Sequence, residues 1–205
     1  MNLIDNTVWA AMKGFLKVFS WAYGIKANKE EFQGLEEGAV IGAKHSSNLD
    51  FLVMLSLLPR KPVTLMTEGV FTNLVGNYLL RIAGAVPVYS PPRYMREILE
   101  SGDLILYAPE GMRVPLKVSE KIYPQTLRKA SDWGYNTKLV GIHYRNKYPI
   151  LSFLKWPWQA GIEVKAESYD ARGKSLAQTS SNVKEAFTRL SGIGGLEREL
   201  LSPQK

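Results

Sequence analysis

The first pattern along the chain is a segment in which apolar residues cover most positions and polar residues return in one narrow stripe. With 100° between successive residues, residues 3–25 form a helix whose stripe carries Asn6, Lys13, Lys17, Ser20 and Gly24. Two interpretations stay open. A narrow lysine stripe opposite a broad apolar and aromatic arc is typical of a helix in a lipid interface, and the same arc also suits a helix packed on the protein's own core.

From residue 39 onward the pattern changes to short apolar strands separated by helices. Strands are predicted over residues 39–44, 62–67, 85–89, 103–108, 138–144 and 161–167. Helices are predicted over residues 49–58, 70–83, 92–101 and 178–190. Ser47 and Asn48 offer an N-cap for the first of these helices. This alternation predicts an α/β fold with a mostly parallel central sheet flanked by helices.

The predicted organisation is one domain with an N-terminal appendage. Of the 205 residues, 45% are hydrophobic and 22% are charged, a balance typical of globular proteins and not of disordered chains. Residues 1–27 are expected to form the amphipathic and membrane-interfacial helix, and residues 28–205 a single α/β domain.

The hydropathy and the N-terminal sequence bear on localisation. The longest run free of Asp, Glu, Lys and Arg, Gly69–Leu80, has 12 residues, which is fewer than the roughly 18 that a membrane span needs. The N-terminal residues lack the basic start of a signal peptide. We therefore expect a protein on the cytoplasmic side that is peripherally associated with the membrane.

Composition and charge narrow the chemistry. The absence of cysteine excludes disulfides, Cys-ligated metals and thiol nucleophiles, and only two histidines, His45 and His143, are present. A site with several histidine ligands is therefore not expected. The net charge is +7, and the surplus lies mainly in the second half of the chain. A basic half suggests phosphate-bearing partners, although simple solubility explains it equally.

Two segments that follow predicted strands carry the candidate chemistry. His45 lies where a strand ends and Asp50 lies at the start of the next helix, so the two side chains can converge. A carboxylate on one imidazole nitrogen leaves the other nitrogen as a base suited to a hydroxyl proton at neutral pH. The second segment, residues 107–113, leaves a buried strand and breaks at a Pro-Glu-Gly turn. A capping histidine in the first segment and a surface Glu–Arg pair in the second remain alternatives for each segment alone.

Together the two segments resemble the motifs of the glycerolipid acyltransferase superfamily, typified by 1-acyl-glycerol-3-phosphate acyltransferases. His45 and Asp50 match that family's His-x4-Asp motif, and residues 108–113 match its Phe-Pro-Glu-Gly-Thr-Arg motif. The resemblance covers roughly residues 35–145.

The resemblance implies a role for each matching residue. His45 is expected to be the catalytic base and Asp50 the group that orients it. Glu110, Gly111 and Arg113 are expected to bind the acceptor and shape its pocket. No metal and no cofactor are implied, because the nucleophile is an alcohol activated by a base.

The chain also departs from the family's pattern. The arginine of the family's second motif, which is thought to hold the acceptor's phosphate, is absent from Gly84–Ser90, and Arg93 is the candidate substitute. Met112 replaces the usual threonine of the third motif, and Val114 replaces the usual serine. Acyl transfer is therefore better supported by the motifs than any particular phosphate-bearing acceptor.

The expected function is transfer of a fatty acyl group from an acyl-CoA or acyl carrier protein thioester to a hydroxyl of a (lyso)lipid, as in phospholipid biosynthesis. The expected partners are the thioester donor, the lipid acceptor and a membrane surface, with no nucleic acid. Two alternatives remain. One is an acyl-thioester hydrolase, and the other is a non-catalytic lipid-binding module that uses the N-terminal helix and the tryptophan-rich residues 153–158.

Overall fold

The central feature of the molecule is one sheet. The computed structural model describes residues 3–35, 37–47, 49–66, 84–88, 92–114, 117–144 and 161–192. Within these ranges the strands are β1 (Lys26–Ala27), β2 (Ala39–Ala43), β3 (Pro62–Met66), β4 (Ala85–Pro87), β5 (Leu104–Tyr107), β6 (Asn136–Tyr144) and β7 (Ile162–Ser168). Their order across the sheet is β1-β7-β6-β2-β5-β3-β4. Every described pairing is parallel except that of β6 with β7, so the predicted mostly parallel α/β fold is confirmed.

Helices cover both faces of this sheet. They are α1 (Leu3–Ala22), α2 (Asp50–Leu57), α3 (Pro92–Glu100), α4 (Gln125–Asp132) and α5 (Leu176–Leu190), with a short 3-10 helix at Lys29–Phe32. Apolar side chains of α1 and α2 pack in one cluster with alternate residues of β2. Apolar side chains of α3, α4 and α5 pack in a second cluster on the other face, with residues of β2, β5 and β6. Successive strand residues point to opposite faces, so the sheet lies between two hydrophobic layers.

Strand β2 lies at the centre of this arrangement. All five of its residues are buried, as its uninterrupted apolar sequence requires for a strand covered on both faces. Gly42 permits close packing there, because a Cβ atom at this position would lie 3.1 Å from Pro109 and 3.3 Å from Leu139. The chain leaving β2 therefore starts from a rigid, enclosed position.

Most predicted elements are observed within one to three residues of their predicted ends, and two predictions differ from the structure. Helix α4 was not predicted, because its buried apolar positions are only Leu127 and Ala130, too few for a recognisable period. The predicted cap of α2 is wrong: the N-cap is Leu49, which makes no side-chain cap bond. The predicted helix over residues 70–83 lies outside the described residues.

Helix α1 packs on the domain with one side and exposes apolar residues on the other. Leu16 and Phe19 are buried, and the Lys13 ammonium donates to the Leu58 carbonyl oxygen at 2.7 Å, so one side of α1 packs on the domain beside α2. The other side exposes Val18 and Trp21, the latter by 82%. Thus part of the polar stripe faces the protein, and apolar residues face outward.

Among the described helices, none combines the length and the low polarity required to cross a bilayer.

Candidate active site

Three neighbouring strands end at the same edge of the sheet and supply the candidate site. Strands β6 and β5 flank β2, and both pair with it in parallel, so the carboxyl ends of the three strands lie side by side. His45 follows β2, Glu110 follows β5 and Tyr144 ends β6. In open parallel sheets this edge is where ligands bind.

His45 and Asp50 are in contact, as their spacing predicted. The imidazole Nδ1 lies 3.2 Å from the Asp50 Oδ2. Because a carboxylate only accepts hydrogen bonds, the tautomer of the neutral ring that fits this contact has its hydrogen on Nδ1 and its lone pair on Nε2. The His45 side chain is 33% exposed, whereas that of Asp50 is 5% exposed. The imidazole is thus open to a reactant while its carboxylate partner is enclosed.

The enclosed Asp50 carboxylate is held by donors from the loop that precedes α2. The backbone N–H groups of Ser46 and Ser47 donate to Oδ2 at 2.5 Å and 2.7 Å. These bonds to a buried charge fix the orientation of the carboxylate and compensate for its loss of water. The turn at the start of α2 therefore folds around the carboxylate.

Tyr144 supplies a further donor to Asp50 from β6. Its hydroxyl donates to the Asp50 Oδ1, so both carboxylate oxygens are occupied. Burial, together with the neighbouring charge of Asp50, raises the pKa of Tyr144 well above its ordinary value. The phenol therefore stays protonated and remains a donor throughout the range in which proteins work.

Glu110 lies inside the protein beneath His45. Glu110 is 1% exposed. Its carboxylate oxygen Oε2 accepts a hydrogen bond from the His45 backbone N–H at 2.9 Å. Its Oε1 accepts from the Ser119 backbone N–H at 2.8 Å. In this arrangement the carboxylate binds main-chain groups of two loops and faces no open surface.

Lys44 is the cationic partner of Glu110. Its side chain is fully buried, and its Nζ lies 3.3 Å and 3.4 Å from the two carboxylate oxygens. The same Nζ donates to the Val114 carbonyl oxygen at 2.9 Å. Burial lowers the pKa of Lys44, and the attraction of Glu110 opposes that shift. The ammonium thus binds the carboxylate and the loop that follows it.

The remaining predicted site residues lie on the surface. Gly111 has a φ of +66°, and a Cβ atom there would lie 2.9 Å from the Tyr123 ring, so this turn requires glycine. Arg113 is exposed two residues later. The Arg93 side chain is 91% exposed at the start of α3, and it pairs with Glu97 at 3.0 Å. The structure brings His45, Asp50 and Glu110 together and leaves both arginines facing solvent.

Sequence reasoning missed two participants. Lys44 directly precedes His45 in the motif, but no residue pattern links it to a glutamate 66 positions away. Tyr144 ends a predicted strand next to His143, and no local pattern pairs its hydroxyl with Asp50. The neighbouring His143 instead contacts the Ser191 carbonyl oxygen at 2.8 Å through its Nδ1. The alternation along β6 is the signal that assigns the two side chains to opposite faces of the sheet.

In the described part of the chain, no group of three or more His, Asp or Glu side chains is placed to hold a metal ion.

Comparisons with known proteins identify a family and a similar fold. Residues 24–131 match the model of a family described as Acyltransferase. The crystal structure of the 1-acyl-sn-glycerophosphate (LPA) acyltransferase PlsC from Thermotoga maritima is similar in fold, with a TM-score of 0.66 and 21% sequence identity. That match covers 98% of this chain and 83% of the other. A search of curated protein sequences finds no match.

Proposed function

Because the chain belongs to the acyltransferase family, we propose that it moves a fatty acyl group from a thioester donor to a hydroxyl of a (lyso)lipid. The donor is acyl-CoA or acyl carrier protein. The observation that carries this proposal is the contact of the His45 Nδ1 with the Asp50 Oδ2 at 3.2 Å, at a sheet edge where the imidazole is partly exposed.

His45 and Asp50 act in both steps of the reaction. The His45 Nε2 takes the hydroxyl proton of the acceptor as the oxygen attacks the thioester carbonyl, and a tetrahedral intermediate forms. The Asp50 carboxylate stabilises the resulting imidazolium and keeps its ring oriented. When the intermediate collapses, the carbon–sulfur bond breaks, and the imidazolium returns its proton to the departing thiolate. The products are an ester and a free thiol.

The exposed arginines are the groups we assign to an anionic acceptor. Arg113 follows the turn that starts at Glu110, two residues beyond the required Gly111. A guanidinium binds phosphate or carboxylate with a fork of donors. Arg93, at the start of α3, is the second candidate, and it would have to exchange its exposed pair with Glu97 for the acceptor.

The outward face of α1 supports peripheral association with a membrane. Phe15, Val18 and Trp21 are exposed by 60%, 63% and 82%, and they lie on the side of α1 turned away from the domain. Apolar and aromatic residues on an exposed helix face partition into the boundary between headgroups and acyl chains. We assign a lipid acceptor partly because this surface brings the enzyme to its substrate.

The test is an assay of thioester consumption with a panel of lyso-lipids and other hydroxyl acceptors, followed by mass spectrometry of the products. The expected result is a new ester lipid that is lost in His45→Ala and retained in His143→Gln, which changes the other histidine. Free fatty acid alone with every acceptor would assign a thioester hydrolase instead. Lipid binding without thioester consumption would assign a non-catalytic module.

A further inference from the structure

We propose that Lys44 and Glu110 form a positioning pair that fixes the main chain of His45, and that Glu110 does not bind the acceptor directly. This proposal rests on the proposed function only for its kinetic readout.

The segment that begins at Glu110 holds both main-chain groups of His45. The Glu110 carboxylate accepts from the His45 N–H at 2.9 Å. The Val114 N–H donates to the His45 carbonyl oxygen at 2.7 Å. A residue whose N–H and C=O are both bound by the same loop has little freedom to move its side chain relative to that loop.

Lys44 is the cation that compensates for the burial of this carboxylate. Without a cation, an enclosed carboxylate is costly, and removing one partner of a buried ion pair strongly destabilises the other. The Lys44 Nζ contacts both Glu110 oxygens and also the Val114 carbonyl oxygen. One ammonium therefore stabilises the carboxylate and holds the far end of the same loop.

The accessible surface separates this role from acceptor binding. The Glu110 and Lys44 side chains are each 0% exposed, whereas Arg113 is exposed on the same segment. Loss of an internal positioning pair disturbs the geometry of the base and so lowers kcat. Loss of a group that contacts the acceptor weakens the binding of the acceptor and so raises its KM.

Steady-state kinetics against acceptor concentration distinguish the two roles. Glu110→Gln replaces one carboxylate oxygen, which accepts hydrogen bonds, by an NH2 group, which donates them. Glu110→Asp keeps the carboxylate but shortens the side chain by one methylene group. For both variants we expect kcat to fall about 10- to 100-fold, as for small misplacements of a catalytic group. The acceptor KM should stay within about twofold of wild type. Lys44→Met should show the same split, and Lys44→Arg should recover part of kcat.

Two variants serve as references. Glu167→Gln removes a partly exposed carboxylate that pairs with Arg189 at 2.8 Å, and it should leave both constants unchanged. Arg113→Ala should show the opposite split, with a raised acceptor KM. A raised acceptor KM with unchanged kcat in Glu110→Asp would overturn the proposal. If Glu110→Gln does not fold, Glu110→Asp decides.

A second readout does not depend on activity. In a His143→Gln background the His45 ring is the only imidazole of the chain, so its nitrogen resonances are assigned without ambiguity. We expect Glu110→Asp to shift or broaden these resonances relative to the parent protein. Ring resonances identical to the parent would overturn the positioning role, even if no acyl transfer were detected. If Glu110→Asp changes the His45 ring resonances but the parent protein has no transferase activity, the positioning role is supported and the proposed function is rejected.

Discussion

Tyr144 donates its hydroxyl hydrogen to the carboxylate of Asp50 across a separation of 94 residues. The tyrosine ends β6 and the aspartate begins α2, and the parallel pairing of β6 with β2 brings them together. This bond adds a side-chain donor to two backbone donors on the same carboxylate. The orientation of His45 therefore depends on three neighbouring elements and not on its own motif alone.

Replacing Tyr144 by phenylalanine tests this dependence. The variant loses one donor to a buried carboxylate, so we expect the free energy of unfolding to fall by about 1.5–3 kcal/mol. The carboxylate also loses one of the bonds that fix its orientation, and with it the position of the His45 ring, so we expect kcat to fall about 10- to 100-fold. Equilibrium unfolding in urea and steady-state kinetics measure the two effects, and an unchanged kcat would contradict this account.

Asp50→Asn tests the carboxylate itself. The amide keeps the size of the side chain but removes its charge and places an NH2 group near the backbone donors of Ser46 and Ser47. By analogy with hydrolytic triads, we expect kcat to fall by about 10³- to 10⁴-fold, because the ring loses its orienting acceptor. Circular dichroism establishes that the variant is folded, and activity above one-tenth of wild type would count against the mechanism.

The sequence predicted the central elements and the His45–Asp50 contact for separable reasons. Strand β2 is apolar throughout and the helix after it begins five residues beyond His45, so local spacing alone brings the pair together. The Lys44–Glu110 pair has no local signal, because its two residues follow different strands. Only the pairing of β2 with β5 places them side by side.

The same distinction applies to α1. Its polar stripe is visible in the sequence, but the direction in which the stripe faces is set by packing. The Lys13 ammonium donates to the carbonyl oxygen of Leu58, the residue that follows α2. A cation is favourable at a helix C-terminus. The hydropathy pattern therefore identified the helix, while its packing on the domain through Leu16, Phe19 and Lys13 determines which side of it meets the solvent.

Two buried tyrosines predict a loss of stability in alkaline solution. Burial raises the pKa of Tyr107 and of Tyr144 far above their ordinary value. Both contributions are complete below pH 10, the ordinary pKa of an unfolded tyrosine, and decrease as the pH rises above it, because the unfolded chain then releases protons that the folded chain retains.

Urea unfolding at pH 7, 10 and 11 measures this effect. The free energy of unfolding of wild type should decline between pH 10 and 11, with up to about 1.4 kcal/mol per pH unit from each tyrosine. In Tyr107→Phe the decline should be smaller by one such contribution. The difference between the variant and wild type at pH 7 provides the control, since both tyrosines are protonated there. Equal slopes in the two proteins would contradict the assignment.

The outward face of α1 gives the final prediction. Changing Phe15, Val18 and Trp21 to serine removes exposed apolar surface without touching the buried Leu16 and Phe19. Burying side chains of this size contributes about 1.5–3 kcal/mol each, so the fraction bound to anionic vesicles should fall at least tenfold in a sedimentation assay. The thermal melting temperature should fall only slightly, because all three side chains are mostly exposed and Phe15 meets the core by stacking on Phe19.

A matched control keeps this test specific to α1. Leu176 is an exposed apolar residue at the start of α5, which packs on the other face of the sheet. Leu176→Ser should bind vesicles as wild type does, because its side chain lies away from the outward face of α1. Equal loss of binding in the control and in the triple variant would mean that general surface hydrophobicity, and not this helix, holds the protein at the membrane. Unchanged vesicle binding in the triple variant would show that this face of α1 does not contact the membrane.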